Sequence, residues 1–411
     1  MIRVAFLPLY TEAWDSLAGV YQRMLKDDRF EVQVFTIKRK LTGDPDFHGQ
    51  QEAHDYLVSK GVPNTMLGSV DELKAFAPDY TFINYPWQRN YEEQYRCDNL
   101  VTFTRVAYVP YFLLPMVTEP WDTGVAPHYY RQRSHQLASL IFTQDINTKR
   151  AFKATERGSK YVKFTGSPKI DSMLKRAKKV ERVARTRYRV VWAPHHSYGP
   201  LWLNFGTFVQ SHKPMLELAK SHPDVDFVFR PHPFLLGTMV GRELMTQEAV
   251  DAWVAEWDAL PNTTSNNDSD YVSLFVNSDM LVSDGISFLG EYPLITGKLA
   301  IFIEREDHWD FSPLGETIAE TTVRYPSAEA FAAAFDELRA TGLPDRSEAI
   351  AEFVAQASPY PGKAAKRIVR AVIKDFEKGS PLIDPASVTA ITWEQEAEIR
   401  KAAGVAREPL H

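Results

Sequence analysis

The chain has 411 residues, too many for one ordinary domain, and two or three are expected. It is 44% hydrophobic and 24% charged, a globular balance, and its formal net charge of −6 argues against a general nucleic-acid binder. The single cysteine, Cys97, excludes an internal disulfide and a four-cysteine zinc site and points to a reducing, cytoplasmic compartment.

The opening Met1-Ile2-Arg3-Val4-Ala5-Phe6-Leu7-Pro8-Leu9 lacks a signal peptide's apolar region and cleavage site and reads as a first strand. No stretch approaches the ~20 apolar residues that span a bilayer. Strands are predicted at 2–9, 30–36, 79–84, 105–110, 137–143 and 161–165, with helical patterns at 11–26, 51–60, 70–76 and 145–155. Such alternation implies a parallel, doubly wound α/β sheet. Thr11 is the expected N-cap of the first helix. The aromatic, proline-rich stretch from Tyr108 to Tyr130 reads as an irregular loop region beside a cleft.

Residues 170–187 carry Lys175, Arg176, Lys178, Lys179, Arg182, Arg185 and Arg187. This segment is an exposed basic helix or linker, either solvated or in contact with an anionic polymer or membrane, and the domain junction falls in or near it. A second series follows: strand 189–193, helix 214–220, strand 225–229, helices 248–257 and 271–277, strand 280–282, helix 287–295 and strand 299–303. Helical patterns at 328–340, 347–356 and 363–377 close the chain. The last carries Lys363, Lys366, Arg367, Arg370 and Lys374 opposite Ile368, Val369, Val372 and Ile373, so it either packs with a solvated face or meets anionic lipid.

Three strand ends in this second series carry chemistry, and ligands of open α/β sheets bind at the carboxyl ends of strands. Trp192-Ala193-Pro194 leads into His195-His196, where a neutral imidazole could take a proton from a hydroxyl. Adjacent histidines diverge on a strand, so no shared metal is expected. Arg230-Pro231-His232-Pro233 clamps His232 between two prolines and adds a cation suited to phosphate. Ser283-Asp284-Gly285-Ile286-Ser287 is a strand-to-helix turn whose N–H groups and hydroxyls could hold phosphates, with Gly285 allowing close approach or positive φ. Glu291, one turn beyond Ser287, could accept hydrogen bonds from ribose hydroxyls. Asp268 and Ser269 read as a helix cap, and Asp44, Asp46, Asp224 and Asp226 as turn residues. A Walker-type phosphate loop, a Gly-x-Gly-x-x-Gly after the first strand and a metal-binding Asp-x-Asp context are all missing. The expected chemistry needs no metal or cofactor and uses a helix dipole and arginine instead.

Taken together, Thr165-Gly166-Ser167-Pro168-Lys169-Ile170-Asp171, Trp192-Ala193-Pro194-His195-His196, Arg230-Pro231-His232-Pro233 and Ser278-Asp279 with Ser283–Ser287 resemble motifs of the CDP-glycerol glycerophosphotransferase family, the teichoic acid and capsule polymer transferases. The resemblance covers residues 165–315. It implies a GT-B fold, two Rossmann-like doubly wound domains facing a central cleft: an acceptor domain at 1–168, a nucleotide-donor domain at 169–360, and a C-terminal helix and tail at 361–411 packing back on the first. It implies a CDP-alditol donor whose phosphoalditol passes to a glycan or polyol-phosphate acceptor, free or lipid-linked, with release of CMP. His195 or His196 would serve as base, because the family's first-domain Trp-His-Gly-Thr-Pro-Leu-Lys has no counterpart at 106–112. His232 and Arg230 would neutralise the diphosphate. Ser283, Asp284, Gly285 and Ser287 would hold the donor, and Glu291 the ribose. The place of work would be the cytoplasm, with or without peripheral contact at the inner face of the plasma membrane. Two other readings stand beside this one: a glycosyltransferase using a nucleotide sugar, and a catalytically silent relative that binds a polymer or partner.

Overall fold

The computed structural model describes residues 1–40, 46–112, 116–118, 128–199, 203–268 and 270–388. Asp44, Ser269, part of the Tyr108–Tyr130 loop and the end of the tail lie outside them. The described residues fall into two units. Unit 1 takes 1–112, 128–172 and 356–388; unit 2 takes 116–118 and 173–355.

Unit 1 is built on a parallel sheet of β1 (Ile2–Phe6), β2 (Phe30–Thr36), β3 (Thr65–Met66), β4 (Tyr80–Ile83), β5 (Arg105–Tyr108), β6 (Leu140–Thr143) and β7 (Val162–Phe164), in the order β3-β2-β1-β4-β5-β6-β7. Strand side chains alternate between faces. Val4 and Phe6 therefore join a core with Leu17, Val20, Ile368 and Val372. Ala5 and Leu7 join another with Phe35, Leu73, Ile83 and Val106. Both faces are covered, as a parallel sheet requires.

The helix Ala364–Glu377 spends its apolar side on this first core, while Lys366, Arg367, Arg370 and Lys374 stay exposed. Its start is fixed by Asp171, whose carboxylate accepts from the Gly362 N–H (2.7 Å) and the Ala364 N–H (2.9 Å). Gly166, at φ +82°, lets the chain pass beside Ala364. Gly166 and Asp171, two residues of the first family-like motif, thus have architectural work in unit 1.

Unit 2 has a second parallel sheet of β8 (Tyr188–Ala193), β9 (Val225–Phe229), β10 (Thr263–Ser265), β11 (Met280–Ser283), β12 (Ala300–Ile303) and β13 (Thr322–Tyr325), in the order β10-β9-β8-β11-β12-β13. Trp192 is central to its core, packed on Phe208, Phe229, Trp253 and Trp257. Residues 116–118 add an antiparallel bridge from Val117 to Phe311, and the Ser312 N–H donates to the Met116 carbonyl (2.8 Å).

Several boundaries differ from expectation. Thr11 opens a short 3-10 turn and Trp14, not Thr11, is the helix N-cap. The 137–143 strand is the end of helix Arg133–Leu137 followed by β6. The helix expected at Pro214 begins at Phe208, because buried Phe208, Ser211 and His212 add a turn before the proline. Asp226 lies within β9 and pairs with Arg189 (3.4 Å), and Asp224 pairs with Arg339 (2.5 Å). The basic stretch is helical only over Pro168–Ala177; beyond it, Arg185 pairs with Asp279 (2.7 Å). No helix among the described residues is long and apolar enough to cross a membrane.

Candidate active site

The order of the second sheet reverses between β8 and β11, and such a switch point opens a crevice at the carboxyl ends of the strands. Parallel register aligns Ala193 with Ser283 and Trp192 with Phe229. The residues that follow these three strands, Pro194-His195-His196, Arg230-Pro231-His232 and Asp284-Gly285, therefore emerge side by side from one edge of unit 2.

Three imidazoles meet there. Ring centroids are 4.7 Å apart for His195 and His196, 5.1 Å for His195 and His232, and 3.7 Å for His196 and His232. His196 is buried, whereas His195 and His232 keep an accessible edge. The divergence expected on a strand does not occur, because Pro194 lies beyond the end of β8. Burial holds His195 down to about 4. Burial also depresses His196, helped by the neighbouring His195, His232 and Arg242, and it depresses His232, helped by His195. All three are neutral near pH 7.

One ring nitrogen from each lies within 4.8 Å of the other two, and three imidazoles are a competent ligand set for a zinc-type ion. Two features suit hydrogen bonding better. His196 and His232 stack with only 20° between their planes, so their in-plane lone pairs run side by side instead of converging. The Nδ1 atoms of His195 and His232 already accept from backbone N–H groups two residues on, Ser197 and Phe234, each at 3.2 Å. In a neutral ring the proton must then sit on Nε2. Both rings are donors toward a ligand, and neither offers an Nε2 lone pair.

Asp284 is buried and faces the protein. Its Oδ1 accepts from the His195 N–H (2.5 Å) and its Oδ2 from the Thr207 N–H (2.5 Å) and hydroxyl (2.7 Å). Burial pushes its carboxyl up to about 7 against these bonds. Ser283 is equally engaged: its hydroxyl donates to the Ala193 carbonyl (2.7 Å) and accepts from the Gly285 N–H (3.1 Å). The expected phosphate contacts of Ser283, Asp284 and the Gly285 N–H are thus taken up by the fold. Gly285 has φ −106°, so positive φ is not its reason; a Cβ there would lie 2.7 Å from the His195 Cβ. Ser287 is exposed on the first turn of helix Ile286–Thr296.

Arg230 donates to Asn266 Oδ1 and to the Asp268 carbonyl (2.7 Å), and its guanidinium lies over Tyr271 (5.3 Å) and Phe288 (5.9 Å). Its Nε is buried without a hydrogen-bond partner. Glu291 is buried and accepts from the Tyr271 hydroxyl. Asp270, not Asp268, holds the following helix, accepting from the Val272 N–H (3.1 Å).

Unit 1 has its own switch point, between β1 and β4. There the Asn84 side chain donates to the Tyr10 carbonyl (2.9 Å), and Tyr10, Tyr85, Trp87 and Tyr111 gather in an aromatic cluster. Beside it, burial works against the Glu12 carboxylate, but Arg39 (2.5 Å) outweighs it and holds the carboxyl below its ordinary value. Of this group only Tyr111 belongs to the aromatic, proline-rich stretch expected beside a cleft.

No protein-family model and no curated protein matches the chain. Solved structures do. UDP-GlcNAc 2-epimerase from Neisseria meningitidis, bound to UDP-GlcNAc, matches with TM-score 0.59 and 16% identity over 91% of this chain and 100% of that one. The fold is GT-B. The Methanocaldococcus jannaschii UDP-GlcNAc 2-epimerase matches this GT-B chain with TM-score 0.55 and 12% identity, over 91% of this chain and 100% of that one. The wall teichoic acid polymerase TagF matches with TM-score 0.56 and 13% identity, over 92% and 89%. At these identities the likeness concerns the GT-B fold.

Proposed function

We propose that this protein is a transferase of cell-envelope polymer synthesis that moves a phosphoalditol from a CDP-alditol to an acceptor hydroxyl and releases CMP. The observation that carries the reading is the pair of neutral imidazoles, His195 and His232, with Nε2–H donors at the β8/β11 switch point. The acceptor oxygen attacks the phosphorus that bears the alditol. The bond from that phosphorus to the bridging oxygen breaks, and the oxygen leaves with CMP. His195 and His232 donate hydrogen bonds to the diphosphate as charge builds on it. Their tautomer narrows the base to His196, which would take the hydroxyl proton. Its depressed basicity rises when a diphosphate brings negative charge beside it. Arg230 adds a fixed cation, the helix at Ile286 an N-terminus with Ser287 beside it, and Tyr271, whose hydroxyl rests on buried Glu291, a polar group for the ribose.

A second reading is a GT-B enzyme acting on a nucleotide sugar. The observation favouring it is the likeness to an epimerase structure that holds UDP-GlcNAc. Thermal-shift titration against CDP, CDP-glycerol, CDP-ribitol, CMP, UDP, GDP and UDP-GlcNAc separates the two. A ligand at a hundredfold excess over Kd stabilises by ~2.7 kcal/mol. Selective stabilisation by CDP and a CDP-alditol supports the phosphotransferase; preference for UDP or UDP-GlcNAc transfers the assignment to nucleotide-sugar chemistry. No shift with any of them leaves a silent polymer-binding relative.

A further inference from the structure

Ser197 is completely buried next to the site. Its main chain is tied down, because the Gly206 N–H donates to the Ser197 carbonyl (2.7 Å). A Cβ on Gly206 would lie 2.8 Å from that carbonyl oxygen, so glycine is needed for the approach. The Ser197 Oγ accepts from the Phe205 N–H (3.1 Å) and lies 2.8 Å from His195 Nδ1. Because the Ser197 N–H donates to Nδ1, that nitrogen is an acceptor, and the hydroxyl proton is directed at it as well. The Ser197 N–H points at the same Nδ1 from 3.2 Å. One ring nitrogen thus faces two donors of one residue. His232 has only the backbone half of this arrangement, from Phe234.

We infer that Ser197 is the positioning residue that fixes His195 as its Nε2–H tautomer, so that His195 is a hydrogen-bond donor to the reacting diphosphate and not the general base. The catalytic consequence rests on the transferase reading above; the tautomer itself does not. Without the hydroxyl, Nδ1 keeps one weak donor and the ring gains freedom to flip or to protonate Nδ1, which would turn a lone pair toward the anion. A neutral group acting through another in this way is read in turnover more than in binding, and a small misplacement of a reacting partner costs about 10²-fold.

The test uses the full-length protein labelled with ¹⁵N-histidine, without substrate. Two-bond ¹H–¹⁵N spectra distinguish protonated from unprotonated ring nitrogens, and loss of a signal set in His195→Gln assigns it. The expected wild-type spectrum shows an unprotonated Nδ1 and a protonated Nε2 on His195. In Ser197→Ala these signals should move toward a tautomer mixture. Turnover on the best donor should fall about 10- to 100-fold while the donor KM stays within about threefold. A protonated Nδ1 in the wild type overturns the inference, and so does a Ser197→Ala protein with wild-type His195 signals and wild-type kcat. If Ser197→Ala does not fold, the wild-type spectrum alone decides. The fixed tautomer with no turnover on any donor would sink the transferase reading and keep the role of Ser197. Full turnover with Nδ1 protonated would do the reverse.

Discussion

Asp284, at the end of β11, accepts the backbone N–H of His195, at the end of β8, at 2.5 Å. With its other oxygen on Thr207, it ties together three segments that meet at the switch point. Asp284→Asn replaces an acceptor by an NH2 group that faces other donors. Leaving a buried donor unpaired costs ~1–3 kcal/mol. The variant is expected to be less stable by about that amount in urea unfolding, and a change under about 0.5 kcal/mol would show that the clamp has little energetic weight.

The site should make the protein acid-labile. An imidazole held at about 4 in the fold and near its ordinary value in the unfolded chain binds its proton on unfolding, so His195 loses stability as pH falls from about 6.5 to 4. His196 and His232 act in the same direction and continue lower. Asp284 acts oppositely: raised to about 7, it is protonated in the fold and releases a proton on unfolding between about 4 and 7, so it favours the fold as pH falls. Three groups against one leave a net loss on acidification, with each unopposed proton worth at most ~1.4 kcal/mol per pH unit. Urea midpoints from pH 7 to 4.5 should fall in the wild type and fall less steeply in His232→Gln. Equal slopes would mean that His232 is not held neutral.

Binding of a donor should pull protons into the site. A diphosphate beside three neutral imidazoles raises their proton affinity. Calorimetric titration of CDP near pH 5, just above the value of about 4 at which His195 is held, in buffers of different ionisation enthalpy should show net proton uptake. The same heat in every buffer would indicate that the diphosphate sits elsewhere.

His232→Ala removes an N–H donor without leaving a buried charge. If His232 assists the departing oxygen, turnover should drop ~10²-fold or more, with the thermal midpoint nearly unchanged. Near-normal turnover would remove His232 from the mechanism.

Gly285→Ala tests the geometry of His195 while leaving that residue itself unchanged. The new methyl would come within 2.7 Å of the His195 Cβ. Overpacking of this kind costs ~1–3 kcal/mol. It should also displace His195, so turnover should suffer more than donor binding. Unchanged kinetics would mean that the crevice yields easily.

Much of this site is legible in the sequence, for a physical reason. β8, β9 and β11 are apolar runs that stop abruptly at Pro194, Arg230 and Asp284, and a sheet of parallel strands places such stops at one edge. Edge strands were harder. β3 has two residues and β10 three, too few for alternation to register. The helix before Pro214 was hidden because a proline inside a pattern reads as a boundary. The direction in which Asp284 points was not legible either, since it depends on Thr207, a residue of common type 77 positions away. Ser197 carried one faint signal, a hydroxyl two residues after a histidine.

The short strand-like visit of residues 116–118 to unit 2 bears on how the molecule can be dissected. The polypeptide passes between the units four times: between 112 and 116, between 118 and 128, at 172–173 and at 355–356. Gly315 has no room for a side chain, because a Cβ there would sit 1.9 Å from the Met116 carbonyl oxygen. A fragment begun at 173 would leave that groove empty and the Ser312 N–H without its acceptor. A fragment stopped at 172 would strip Ile368 and Val372 from the core behind Val4 and Phe6. Neither half is a transplantable cassette, and chimaeras with related proteins would have to be spliced at all four seams together.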